Sequence, residues 1–233
     1  MIYGSTIGKK FYEDGRVRTY PGNTVVADIT PGCSAYDVMI RLREMLLEAK
    51  LEDHYIPLPT DSYHMTVISG LNDQVRKDTH WPPQLPKTTP MTQVDDYISA
   101  AIARAGIPGP LRMKFDKAHV SSGCFIIHLL PADGTQEEIA LSFRERAAKE
   151  IGFKLPNHDG YRFHVSLAYT RIVPEGEAAE RLEQLQADMN ALLADQPEFT
   201  TGVPYMAYYK DMYAFSPDRI PRDGTVYATA QLR

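Results

Sequence analysis

Cysteine is nearly absent from this sequence of 233 residues. Cys33 and Cys124 stand alone, far apart and without metal-ligand spacing. That excludes a disulfide framework and leaves two free thiols suited to a reducing compartment. Long apolar runs are missing as well. No stretch approaches the roughly 18 apolar residues of a membrane-spanning helix, so no membrane partner is expected. Met1-Ile2-Tyr3-Gly4-Ser5 also lacks the basic-then-apolar pattern of a secretory leader, which points to the cytoplasm. Positive charge is in short supply too. A net charge of −5 argues against a grip on long duplex nucleic acid, where phosphate neutralisation dominates affinity. It leaves room for a small phosphorylated ligand held by a few local groups.

The sequence does have two similar short strands. Tyr63-His64-Met65-Thr66-Val67 and Phe163-His164-Val165-Ser166-Leu167 both read aromatic, His, apolar, hydroxyl, apolar. Side chains alternate across a strand. Tyr63, Met65 and Val67 therefore face one way, and His64 and Thr66 the other. The same parity separates Phe163, Val165 and Leu167 from His164 and Ser166. If the strands lie side by side, two imidazoles and two hydroxyls converge on one pocket.

The remaining elements form a repeating order. A turn-rich, locally basic stretch (1–23) precedes a strand over 24–29. Helices are expected from Ser34, Thr92 and Thr135, each opening a Ser/Thr-x-x-acid pattern that resembles a capping box. A fourth helix is expected over about 177–194. Hairpin strands are expected at 111–118 and 124–130, and final strands at 203–215 and 225–231. His119 and His128 fall in the first hairpin without a hydroxyl two residues on, and read as structural. Residues 71–91, with Pro82, Pro83 and Pro86, form a long loop of the kind that serves as a lid or binding loop. The order is strand, helix, motif strand, helix, hairpin, helix, motif strand, helix, hairpin, so a unit of about 100 residues, each with one motif strand, appears twice. That is an internal duplication. The expected fold is α+β, a single bilobal domain over 1–233. Its lobes interleave, with antiparallel sheets, helices outside and a ligand pocket in the central cleft.

The two His-apolar-[Ser/Thr]-apolar strands, spaced by about 100 residues in a duplicated α+β chain, resemble those of the 2H phosphoesterase superfamily. Its members include RNA ligase-like 2′,3′-cyclic phosphodiesterases and RNA-end-trimming phosphodiesterases. The resemblance implies a groove with a metal-independent site, no cofactor, and a nucleotide or RNA-end phosphodiester as substrate. Segments 1–23 and 71–91 exceed the minimal fold and look like those of a bacterial and fungal branch.

The residues themselves suit that chemistry. In-line displacement at phosphorus needs one group to take a proton and another to give one. Histidine fills both roles near neutrality. His64 and His164 are the expected acid–base pair. Thr66 and Ser166 would donate to the non-bridging oxygens. Tyr169, Arg18, Lys10, Trp81 and Tyr208 are candidate substrate contacts, the aromatic ones by stacking, with Lys9, Tyr205 and Tyr209 alongside. Three rivals stand beside this reading: a module that binds the same ligands without turnover, a metallohydrolase and a structural adaptor. A zinc enzyme usually needs three protein ligands, and neither motif strand offers Asp or Glu beside its histidine.

Overall fold

The computed structural model describes residues 1–218; the strand expected over 225–231 lies outside them. Strand β1 (Gly22–Asp28) leads to helix α1 (Ser34–Glu48), a short β2 (Tyr55–Pro57) and β3 (His64–Asn72). Helix α2 (Met91–Ala105) precedes the hairpin of β4 (Arg112–Val120) and β5 (Cys124–Pro131). Then follow α3 (Gly134–Ile151), β6 (His164–Thr170) and α4 (Glu177–Ala194). The chain continues through β7 (Phe199–Thr200), β8 (Tyr205–Tyr209) and β9 (Phe215–Ser216).

All nine strands join one antiparallel sheet in the order β7-β4-β5-β6-β3-β1-β8-β9, with β2 on β6. The fold is α+β, as expected. The duplication is visible in this order: β1 and α1 lead to β3 as β5 and α3 lead to β6. The two motif strands are neighbours at the centre, paired only through Met65 and Val165. Each crossover helix reaches past its own lobe. Helix α1 touches β6 and packs with α4, which covers β4, while α3 touches β3 and packs with α2. Helices α1 and α3 thus each reach the motif strand of the other half of the sheet.

Burial follows the period-two pattern. Met65, Val67, Val165 and Leu167 are essentially inaccessible, while His64, Thr66, His164 and Ser166 remain partly exposed. The apolar side of each motif strand forms the core, and the polar side is left for the cleft.

Two expectations need correction. None of the capping boxes forms. Cys33 precedes α1 without a side-chain cap, and α2 starts after Pro90. Helix α3 is capped by Asp133, whose carboxylate accepts from the Gln136 N–H at 2.9 Å. The expected strand over 203–215 breaks into β8 and β9, because the chain turns through 210–214 and pairs back on itself. Residues 1–23 pack against the rest of the fold. Phe11 is fully buried, and the Gly4 N–H donates to the Arg171 carbonyl at 2.9 Å. Among the described residues, no helix is long and apolar enough to cross a membrane.

Two buried polar groups hold the sheet to its helices. Asn23 donates from Nδ2 to Asp95 at 2.8 Å and accepts the Leu71 N–H at 2.9 Å. Arg144 donates to the Val67 carbonyl at 2.8 Å and the His158 carbonyl at 2.7 Å. Losing a buried partner costs about 1–3 kcal/mol. The Asn23→Ala variant is expected to lose about that much stability in urea denaturation; an unchanged midpoint would show the pair to be neutral.

Candidate active site

The single pairing of Met65 with Val165 fixes the site. With Met65 and Val165 turned into the core, His64 and Thr66 on one strand and His164 and Ser166 on the other face the opposite side of the sheet. Opposed Cβ atoms lie about 4.5–5.5 Å apart, and same-face neighbours along a strand about 6.5–7 Å. The four groups therefore share one face of the sheet. All four line one cavity of about 280 Å³.

The two imidazoles are held alike. His64 Nδ1 lies 2.7 Å from the Ser62 carbonyl, and His164 Nδ1 lies 2.8 Å from the Arg162 carbonyl. A carbonyl only accepts, so each Nδ1 carries the hydrogen. In the neutral ring, each Nε2 is left with its lone pair. Among the described residues, the Thr66 and Ser166 hydroxyls have no hydrogen-bond partner. Two bases and two donors are therefore uncommitted.

Shielding from water disfavours the charged form of both histidines. It lowers His64 to about 4, against the Ser62 hydrogen bond and helped by the nearby His164. The Phe215 ring covers His64 with centroids 4.2 Å apart. His164 is lowered for the same reason, with Lys10 adding a smaller push. Tyr161 flanks His164 at 5.7 Å between centroids, and the Arg144 guanidinium lies 4.5 Å from the Tyr161 ring.

Lys10 brings positive charge into this space. Its Nζ donates to the Tyr169 hydroxyl at 3.2 Å and lies 4.9 and 5.5 Å from the Tyr169 and Tyr20 rings. Burial works against the charge, but the surrounding tyrosines, Tyr169 first, outweigh it and raise the lysine above its ordinary value.

The cavity thus gathers His64, Thr66, His164, Ser166, Lys10 and Tyr169. Three other candidates lie elsewhere. Arg18 stacks on Tyr12 at 4.7 Å. Trp81 is buried, donating to the Leu85 carbonyl at 2.9 Å beneath the Arg76 guanidinium at 4.4 Å. Tyr208 meets Ser99 of α2 at 2.5 Å, on the helix side of the sheet, and its neighbour Tyr209 faces the cleft. Tyr205 is held by Asp28 at 3.1 Å. Tyr20, Asn157, Tyr161, Met212 and Phe215 also line the cavity without having been singled out as site residues. No sequence period marked these five.

Beyond the cleft, His128 is buried opposite His164, its ring centroid 6.3 Å away. Glu145, His158 and Asp159 lie close together. Lys154 already bridges the two carboxylates at 2.9 and 3.0 Å, so the group reads as an ion-pair network.

The fold and the two motif strands define a protein with two histidines and two hydroxyls on one cleft. The model of the family 2H-phosphodiest, described as a domain of unknown function (DUF1868), matches residues 10–124. A conserved protein of unknown function from Agrobacterium tumefaciens str. C58 superposes with a TM-score of 0.80 at 25% identity, over 92% of this chain and 91% of that one. Escherichia coli LigT, crystallised with NADP+, gives a TM-score of 0.44 at 11% identity, over 86% of this chain and 96% of its own. No curated protein matches the chain significantly. The family match spans 115 of the chain's 233 residues, from the basic N-terminal stretch through β3 to the start of β5. The family match ends before β6, so His164 joins the site on geometry alone.

A stability consequence follows from His64. Its folded value of about 4 lies below the ordinary 6.5, so the unfolded chain takes up this proton first. The contribution is complete above the ordinary value and is lost as pH falls from there to about 4. Chemical denaturation across that window is expected to show a falling midpoint, with a shallower fall in His64→Gln. Equal slopes in the two proteins would contradict the shift.

Proposed function

We propose that the protein is a phosphodiesterase that acts on a 2′,3′-cyclic phosphate or a related nucleotide or RNA-end diester by acid–base catalysis, without a metal. The supporting observation is the matched tethering of the two rings. Each imidazole donates from Nδ1 to the carbonyl two residues before it, and both rings line one cavity with the free hydroxyls of Thr66 and Ser166.

In this reading His64 is the base. Its low value keeps Nε2 unprotonated over most of the pH range. It takes a proton from water as the oxygen attacks phosphorus. His164, less strongly shielded, enters as the imidazolium and gives its Nε2 proton to the departing ester oxygen. Thr66 and Ser166 donate to the non-bridging oxygens, and Lys10 offsets their charge. Proton exchange with solvent then resets the pair.

A general acid or base contributes ~10²–10⁴-fold. His64→Ala and His164→Ala are each expected to lower turnover of nucleoside 2′,3′-cyclic phosphates at least about 100-fold, in assays run with chelator present. Turnover retained in both variants would refute the reading. A chain that binds these diesters without hydrolysing them would instead be a capture module.

The pH profile is a separate test. The free enzyme needs His64 neutral and His164 charged, and both titrate below the ordinary 6.5. A bell-shaped kcat/KM is expected, with its acid limb near 4 and its alkaline limb below 6.5. A plateau extending through neutral pH would contradict the assignment of His164 as the acid.

A further inference from the structure

One side chain touches both motif strands. Tyr161 lies just ahead of β6, in the irregular stretch that follows α3. Its ring flanks the His164 imidazole at 5.7 Å between centroids, and its hydroxyl donates to the Thr66 carbonyl at 3.3 Å. Tyr161 therefore meets the histidine of one strand and the hydroxyl-bearing residue of the other. Burial pushes its phenol up to about 12, so the group stays protonated and keeps donating.

The sheet needs such a brace. Strands β3 and β6 share one residue pair, Met65 with Val165, and no further ladder between them fixes their spacing. The Arg162 carbonyl that tethers His164 Nδ1 also lies outside the strand. Tyr161 is the neighbour of Arg162 and is held by three further contacts. Its backbone N–H donates to the His158 carbonyl at 3.4 Å, and its ring meets the Phe163 ring edge-on at 5.8 Å. The Arg144 guanidinium lies 4.5 Å from the same ring. Arg144 comes from α3, is buried, and donates to the carbonyls of His158 and of Val67, the residue after Thr66. Among the described residues, Arg144 has no ion-pair partner. Its hydrogen bonds are spent on carbonyls and its flat face on Tyr161. A buried cation without a counter-charge is costly to keep. Here it completes the brace.

We propose that Tyr161 is a positioning residue for the two-histidine site. Its ring sets the orientation of the His164 imidazole, its hydroxyl sets the place of Thr66 relative to that ring, and Arg144 holds the phenol still. What His164 does in the reaction rests on the phosphodiesterase reading, but the hold of Tyr161 on His164 can be tested without turnover. The other groups that face His164 are Lys10 from the N-terminal segment, His64 from β3 and His128 from β5. His119 and Asp116 of β4 stand behind His128. All of these stay in place when Tyr161 alone is changed.

Two variants of the full chain separate the ring from the hydroxyl. Tyr161→Phe keeps the ring and drops the tie to Thr66, while Tyr161→Ala drops both and admits water to His164. Side-chain ¹H–¹⁵N NMR follows the titration of His164 in each, and kcat and KM are measured for adenosine 2′,3′-cyclic phosphate. In Tyr161→Phe, His164 is expected to titrate as in the wild type. Its kcat is expected to fall about tenfold at unchanged KM, the scale of one lost hydrogen bond. In Tyr161→Ala, the titration of His164 is expected to rise toward the ordinary 6.5 as shielding is lost. Its kcat is expected to fall about 100-fold, the scale of a misplaced catalytic group. Urea midpoints report whether each variant is folded; should Tyr161→Ala not fold, the kcat of Tyr161→Phe decides alone. An unmoved His164 in Tyr161→Ala, or wild-type kcat in Tyr161→Phe, would overturn the positioning role. So would a raised KM at wild-type kcat, which would make Tyr161 a ligand contact instead. A wild type that hydrolyses no diester would overturn the phosphodiesterase reading, and the His164 titration would still decide whether Tyr161 holds the ring.

Discussion

The pairing of Met65 with Val165 is the contact on which the rest of the molecule turns. It is the only residue pair joining β3 to β6, and it lies at the middle of the sheet. Because Met65 and Val165 are fully buried, the residues on either side of them must face the other way. One residue of slip would send both histidines into the core and both apolar side chains into the cleft. The crossing of α1 and α3 onto opposite lobes works against such a slip, since each helix is packed on the other half's motif strand.

The electrostatics follow from that placement. Among the described residues, two shielded imidazoles, one lysine and no lining carboxylate make a cleft whose protonation depends on what enters it. On the proposed reading, a phosphate in this cleft would supply a counter-charge to Lys10 and raise the affinity of both rings for protons. The tethers from Nδ1 to Ser62 and Arg162 matter here because they fix which nitrogen stays available as charge changes. Arg144 links this site to the core: it holds the Val67 and His158 carbonyls and faces the Tyr161 ring beside His164.

Much of this was legible in the sequence, because some features depend on period alone. The alternation in 63–67 and 163–167 gives strand faces without any knowledge of neighbours. Gly106 and Gly152 mark the ends of α2 and α3 through their positive φ of 71° and 70°. Caps were less legible, because nearby groups compete for the same N–H. Asp133 takes the role expected of Thr135, and Asp95 turns inward to Asn23. Tyr208 and Tyr209 differ only in parity, and a strand with aromatics on both faces does not announce which side is wet. Trp81 resembled a stacking platform until the Arg76 guanidinium and the Leu85 carbonyl were seen to enclose it. Lys10 had no distinguishing neighbour in sequence; the tyrosines that hold it come from positions 20, 169 and 209.

The central claim is that two distant imidazoles, each held through Nδ1, present Nε2 to the same phosphorus. Long-range ¹H–¹⁵N NMR of the histidine side chains tests it most directly, with adenosine 2′-monophosphate added stepwise at neutral pH. The account predicts that His64 and His164 both appear as Nδ1–H tautomers in the free protein, and that both Nε2 signals move together as ligand binds. An Nε2–H tautomer at either ring, or movement of only one of the two, would contradict it.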